Sequence, residues 1–126
     1  MRVVLDTTFI IDHLRGLPAA AAWLDGAMAA GDRLFVTEVI VCEAWAGAAR
    51  EDDPALRGLL GPLEFVSPGP DQARVAGRWR AAARAKGRAL GLADALIAAS
   101  ADAMDAAVLT RNARDFRLTP VRVETY

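Results

Sequence analysis

Four acidic residues of this sequence stand in or beside apolar segments, where a carboxylate needs a partner. Asp6 ends a valine-rich run, and Asp115 closely follows a second apolar run. Glu43 and Asp94 each stand inside a segment that is otherwise apolar. Burying a carboxylate is costly unless it is paired or bound to a cation. The residue types and their positions therefore predict an acidic site.

Each of these acids also has an ordinary structural explanation when it is taken alone. Asp6 fits a helix N-cap, and Asp94 falls in the first turn of a predicted helix, where negative charge is favoured. Asp115 and its neighbour Asn112 fit a turn. Glu43 is able to reach solvent from the edge of its helix. The hypothesis of a shared site thus depends on the carboxylates meeting in the fold.

Carboxylates that converge repel one another unless a hard cation neutralises them, and Mg²⁺ prefers such oxygen ligands. The sequence holds one histidine, His13, and one cysteine, Cys42. These counts exclude an internal disulfide, a cysteine-based zinc site and histidine-rich metal centres. A carboxylate–magnesium site typically serves phosphoryl chemistry, because the metal holds phosphate oxygens and lowers the pKa of an attacking water.

The acids are positioned by strands that alternate with helices along the chain. Apolar, β-branched runs predict strands over residues 1–5, 33–36, 63–66, 106–109 and 121–124. Periodicity and capping residues, with Thr7 and Thr8 capping the first helix and Thr37 the third, predict helices over 9–15, 19–30, 38–49, 55–60, 71–86 and 91–104. Residues 111–116 form a turn or a single helical turn. This alternation predicts an α/β fold with a parallel sheet covered on both faces.

Length and composition limit the class of protein. The 126 residues, 54% hydrophobic and 25% charged, fit a single domain over 1–126 with its own core. A net charge of −1 and a pI near 5.8 argue against binding nucleic acid through overall charge. No uncharged run reaches the roughly 18–20 residues of a membrane helix. We expect a cytoplasmic protein with no membrane partner.

Four segments resemble the acidic motifs of one known family. The segments are LDTT at 5–8, VCEA at 41–44, GLADALIA at 91–98 and LTRNARDF at 109–116. In order, spacing and overall length they are similar to PIN domains and, more narrowly, to the VapC toxins of bacterial toxin–antitoxin pairs. The resemblance implies a three-layer PIN-like fold with a mostly parallel sheet, and an endoribonuclease that depends on Mg²⁺ or Mn²⁺. It also implies a homodimer that a cognate VapB-type antitoxin holds inactive.

The resemblance gives each matching residue a role. It implies that Asp6 and Asp94 are the main metal ligands. Glu43 would hold a second metal or orient the attacking water, and Asp115 would complete the acidic set. Thr8 stands where relatives often have serine or asparagine beside the first acid, so its hydroxyl would serve the same orienting role.

The fourth acidic position departs from the family pattern. Asn112 stands where many relatives carry their fourth acid. An asparagine carbonyl binds a metal but adds no negative charge. The fourth position is therefore open between Asn112 and Asp115, and the number of metals is open with it.

The helix predicted over 71–86 carries a row of arginines. At 100° per residue, and with the helix continued to residue 88, the row falls within an arc of about 160°. Its members are Arg74, Arg78, Arg80, Arg84 and Arg88. One interpretation is a solvated face; the other is a basic track that leads RNA phosphates into the acidic site.

Two other function classes compete with the nuclease. A phosphatase with an aspartyl nucleophile would use Asp6 itself. Phosphatases of the haloacid dehalogenase type, however, normally carry a second aspartate two residues later, where this sequence has Thr8. A non-catalytic PIN-like module would bind RNA or a partner without using the acids. RNA cleavage with and without EDTA discriminates these classes.

Overall fold

Five strands and seven helices alternate along the chain in a computed structural model that describes residues 1–126. The strands are Arg2–Leu5 (β1), Arg33–Thr37 (β2), Glu64–Val66 (β3), Ala107–Leu109 (β4) and Val123–Glu124 (β5). The helices are Thr7–Leu14 (α1), Pro18–Ala29 (α2), Glu38–Ala46 (α3), Pro54–Leu60 (α4), Pro70–Ala85 (α5), Leu92–Ala103 (α6) and Ala113–Phe116 (α7). None of these helices is long and apolar enough to cross a membrane.

The strands form one parallel sheet in the order β3-β2-β1-β4-β5. The chain steps outward from β1 to β3 and then crosses back to β4 on the other side of β1. Because such crossovers are right-handed, α1–α4 and α5–α6 cover opposite faces of the sheet. Val3, Val4 and Leu5 of β1 are fully buried, as a strand covered on both faces requires. The predicted three-layer α/β fold is confirmed.

A separate small core holds α6 against α5. It consists of Leu90 and buried alanines from both helices, and its members are Ala76, Ala83, Leu90, Ala95 and Ala99. The small side chains let the two helix backbones approach closely. This packing fixes the position of α6, which carries one of the candidate acids near its start.

The predicted elements agree with the structure to within a few residues, but the start of α1 differs. The helix begins at Thr7 rather than Phe9, its N-cap residue is Asp6, and no side chain caps it. The prediction that Thr7 and Thr8 cap this helix is wrong because both hydroxyls are bound to carboxylates elsewhere. Thr37 caps α3 as predicted, through its hydroxyl and the Ile40 N–H.

Candidate active site

The strand order reverses between β1 and β4, and this is where parallel α/β sheets bind ligands beyond their carboxyl ends. Asp6 directly follows β1, and Thr110 directly follows β4. The Asp6 main-chain N–H donates to the Leu109 carbonyl at 3.0 Å, which ties the two strand ends together. The sheet thus brings residues more than a hundred positions apart into one place.

Asp6 is held by two threonine hydroxyls. Thr110 Oγ1 donates to Asp6 Oδ2 at 2.7 Å, and Thr8 Oγ1 donates to the same oxygen at 3.1 Å. The residue is 4% exposed. Its other oxygen, Oδ1, accepts no hydrogen bond from the protein. Because every fully buried side-chain polar atom in the structure has a hydrogen-bond partner, Oδ1 is not one of the fully buried atoms. Oδ1 therefore reaches solvent and is the oxygen that faces the site.

Glu43 lies on the exposed side of α3. Only Ile40 and Ala44 of that helix are buried, and Glu43 is exposed. The prediction of a buried carboxylate in an apolar helix is wrong for this residue. Thr7 Oγ1 nevertheless donates to Glu43 Oε1 at 2.8 Å. This bond links α3 to the start of α1 and leaves Oε2 without a protein donor.

Asp94 lies in the first turn of α6 and accepts no hydrogen bond from the protein. Burial is the largest cause that raises its pKa, and together with the negative charges of Asp6, Asp115 and Glu43, in that order of strength, it brings the pKa to about 6. The other three acids therefore act electrostatically on Asp94. The four carboxylates predicted from the sequence share one electrostatic field.

Asp115 and Asn112 have different roles in this arrangement. Asn112 is exposed, and its Nδ2 donates to Asp115 Oδ2 at 3.0 Å. The Asn112 main-chain N–H donates to Thr110 Oγ1 at 2.9 Å. Asp115, half-buried in α7, contributes negative charge beside Asp94. Asp115 thus adds negative charge to this field, and the Asn112 amide donates to its carboxylate.

The donor set suits a hard divalent cation, although no three Asp, Glu, His or Cys side chains are grouped closely enough to hold one ion between them. Mg²⁺ is usually bound by one or two carboxylates and several waters, so it does not need such a cage. Asp6 offers a free oxygen, and Asp94 offers two. His13 packs instead beside the ring of Phe9. The residues present therefore fit Mg²⁺ or Mn²⁺.

Several polar residues around these acids were not predicted from the sequence as part of the site. They are Thr7, Asp12, Thr110, Arg111 and Tyr126. Thr110 had a usable signal, because it is the first polar residue after a predicted strand. Asp12 resembles any acid on an amphipathic helix, and nothing local to Tyr126 marks it. Thr7 has its partner, Glu43, 36 residues away, and the partners of the others lie about a hundred residues away and are brought close by the strand order.

The predicted arginine row changes in the structure. Helix α5 ends at Ala85, so Arg88 lies beyond it. Arg80 Nε donates to the Leu90 carbonyl at 3.0 Å, so this side chain fixes the loop before α6. The single arc of five helical arginines is therefore wrong. The other cations of the segment are exposed and form no ion pair, and they are Arg74, Arg78, Arg84, Lys86 and Arg88.

The fold and the site together define the class of protein, and comparison with known sequences agrees. The family profile described as PIN domain matches residues 3–121, and the chain belongs to the PIN domain family. Within it, the chain is similar to Ribonuclease VapC19 of Mycobacterium tuberculosis. The two are 35% identical over 117 residues, which cover 93% of this chain and 94% of that protein. The predicted resemblance to VapC-type proteins is confirmed.

Solved structures show the same fold. One is VapBC2 from Rickettsia felis, bound to a DNA fragment from its promoter. A chain of that structure is 21% identical to this protein and superposes with a TM-score of 0.88, and the match covers 100% of this chain and 99% of that chain. A second is a toxin–antitoxin complex from Klebsiella pneumoniae. It contains a chain that is 25% identical, with a TM-score of 0.80, and the match covers 98% of this chain and 96% of that chain. These similarities span nearly the full length of each chain.

Proposed function

We propose that this protein is a metal-dependent endoribonuclease and the toxin of a type II toxin–antitoxin pair. The observation that carries the proposal is the convergence of Asp6, Glu43 and Asp115 on Asp94 beyond the carboxyl ends of β1 and β4. Burial first, and then the negative charges of these three acids, raise the pKa of Asp94 to about 6. Such a concentration of like charge is unfavourable without a cation. The similarity to a Mycobacterium tuberculosis ribonuclease supports RNA as the substrate.

Asp6 and Asp94 are the proposed holders of Mg²⁺ or Mn²⁺. Asp6 presents Oδ1 because two threonines hold Oδ2, and Asp94 presents both of its oxygens. When bound, the metal supplies positive charge for phosphate oxygens and lowers the pKa of an attacking water. Asp115 adds charge for a second cation or orients a water bound there. Thr8 serves as the orienting hydroxyl beside the first acid.

Glu43 is the proposed group that orients the attacking water. Thr7 holds Oε1, so the exposed Oε2 is able to accept a hydrogen bond, and then the proton, from that water. The water oxygen forms a new bond to phosphorus while one phosphate–ribose P–O bond breaks. The departing ribose oxygen takes up a proton, so charge and atoms balance in a hydrolysis.

A VapB-type antitoxin and a second copy of the chain are the proposed protein partners. Structural relatives include complexes described as VapBC or as toxin–antitoxin. An arginine from an antitoxin tail is able to pair with Asp6, Glu43 or Asp94, because charge-assisted bonds to carboxylates compete with metal ligation. Inhibition would then follow from displacing the cation. Cytoplasmic location stays a prediction from the sequence.

Cleavage of a mixed RNA pool tests the proposed activity. We expect fragments with Mg²⁺, none with EDTA, and a loss of about 100-fold or more in Asp6→Asn. Asp25→Asn is the matched control, since Asp25 is an exposed acid on α2 away from the site. RNA binding without metal-dependent cleavage would support the non-catalytic module instead. Cleavage by Asp6→Asn at the wild-type rate would refute the proposed role of the carboxylate.

A further inference from the structure

Asp12 is a buried carboxylate that the proposed chemistry does not use. It lies on α1, one turn beyond Thr8, with a side chain that is 5% exposed. Arg111 Nη1 donates to Oδ1 at 2.7 Å, and the Tyr126 hydroxyl donates to Oδ2 at 2.7 Å. The Tyr126 ring packs edge-on against Phe9, with ring centroids 5.1 Å apart. Each carboxylate oxygen therefore accepts one hydrogen bond, and the two donors come from two other parts of the chain.

Arg111 attaches to α1 at a second point. Its main-chain N–H donates to Thr8 Oγ1 at 3.1 Å, and Thr8 Oγ1 in turn donates to Asp6 Oδ2. Thr8 and Asp12 are four residues apart, so they share one face of the helix. The side chain and the backbone of Arg111 thus bind neighbouring positions of that face. The two contacts of Arg111 together fix the loop after β4, which also carries Thr110 and Asn112.

The ion pair joins a buried carboxylate to an arginine side chain that is 57% exposed. Such a pair is poor evidence for added stability, because well-packed apolar residues in place of a buried charge and its partner are often neutral or stabilising. What it supplies is a defined geometry for the groups that it joins. We propose that Asp12, Arg111 and Tyr126 form a clamp that positions the loop after β4 and, through Thr8 and Thr110, aims Asp6 Oδ1 into the site. These are positioning residues, and the proposal rests on the nuclease function proposed above.

The double variant Asp12→Leu/Arg111→Met separates positioning from stability. It removes the pair without leaving a buried charge unpaired, so we expect the fold and the melting temperature to be retained. We expect kcat for RNA cleavage to fall by ten- to a hundredfold, since small displacements of reacting groups cost that much, while KM stays within about twofold. Arg111→Lys, which keeps a cation for Asp12, should recover most of kcat. Arg122→Met removes an exposed ion pair at the opposite end of the sheet and is the control.

Amide hydrogen exchange gives a readout that does not need cleavage. We expect the amides of residues 111 and 112 to exchange at least about tenfold faster in the double variant, with the amides of β1 and β4 unchanged. Tyr126→Phe, which removes one hydroxyl only, should move the same two amides in the same direction. Unchanged protection in both variants would overturn the clamp, whether or not the wild type cleaves RNA. A raised KM with unchanged kcat would overturn it too, because Arg111 would then be an RNA contact.

Discussion

Replacing Asp94 by asparagine should stabilise the metal-free protein at neutral pH. The folded protein holds a proton on Asp94 more tightly than the unfolded chain does, because burial and three neighbouring carboxylates raise its pKa from 3.8 to about 6. The folded state therefore binds more protons between these values, and the free energy of unfolding falls as the pH rises from about 4 to about 7. Asparagine is neutral over this whole pH range, so the free energy of unfolding of Asp94→Asn does not fall in this way.

The size of the effect follows from two opposing contributions. The difference between 3.8 and about 6 sets an upper limit of about 3 kcal/mol. Asp94 is only half-buried, so solvent screening reduces this to about 1–2 kcal/mol. Asp94 also lies in the first turn of α6, where a negative charge gains about 0.3–1 kcal/mol that asparagine gives up. A net gain of about 1 kcal/mol remains at pH 7.5.

Urea denaturation in EDTA at a series of pH values measures this difference. We expect the midpoint of Asp94→Asn to exceed that of the wild type by about 0.5 M urea at pH 7.5 and to lose that advantage by pH 4. Asp25→Asn, the exposed acid on α2, should follow the wild type at every pH. If the curves of Asp94→Asn and the wild type stay parallel from pH 4 to pH 8, Asp94 does not lie in the proposed field of carboxylates.

Three further predictions concern the surroundings of the acids and the assembly. Thr110→Val removes the hydroxyl that donates to Asp6; we expect about 1–2 kcal/mol of destabilisation and about tenfold slower cleavage, with Thr110→Ser near the wild type. Arg84→Ala with Arg88→Ala should weaken RNA binding and reduce the slope of log K against log salt by about 1.4, and an unchanged slope would make them solvated surface residues. Light scattering should give about twice 13.4 kDa, and a monomer at micromolar concentration would contradict the dimer.

Much of the fold was predictable because local patterns and tertiary structure agree. Residues 3–5 of β1 and all of β4 are buried, so these stretches are apolar at every position and easily recognised. Boundaries were less certain where a capping residue competes with periodicity, as at the C-cap Gly47, which ends α3 three residues earlier than expected. The strand order was not predictable from the sequence, since no local pattern indicates that β1 lies between β2 and β4.

The acids of the site were predictable because their types are unusual in their surroundings. Glu43 was found for the wrong reason, since an apolar helix suggested burial while Glu43 is exposed. Its hydrogen bond from Thr7 was not visible in the sequence, because it joins residues 36 positions apart. The same holds for Asp12, whose partners Arg111 and Tyr126 follow from the sheet topology. Long-range hydrogen bonds thus form the part of the site that sequence reasoning misses.

Calorimetric titration of Mn²⁺ into the metal-free protein tests the central claim most directly. The pKa of Asp94 is raised to about 6, so at pH 6 binding of the cation should release a fraction of a proton per ion, measured from the heats in two buffers of different ionisation enthalpy. At pH 8 the release should vanish, and in Asp94→Asn both the release and most of the affinity should be lost. Binding without proton release at pH 6, or equal affinity in the variant, would contradict a cation site built on these carboxylates.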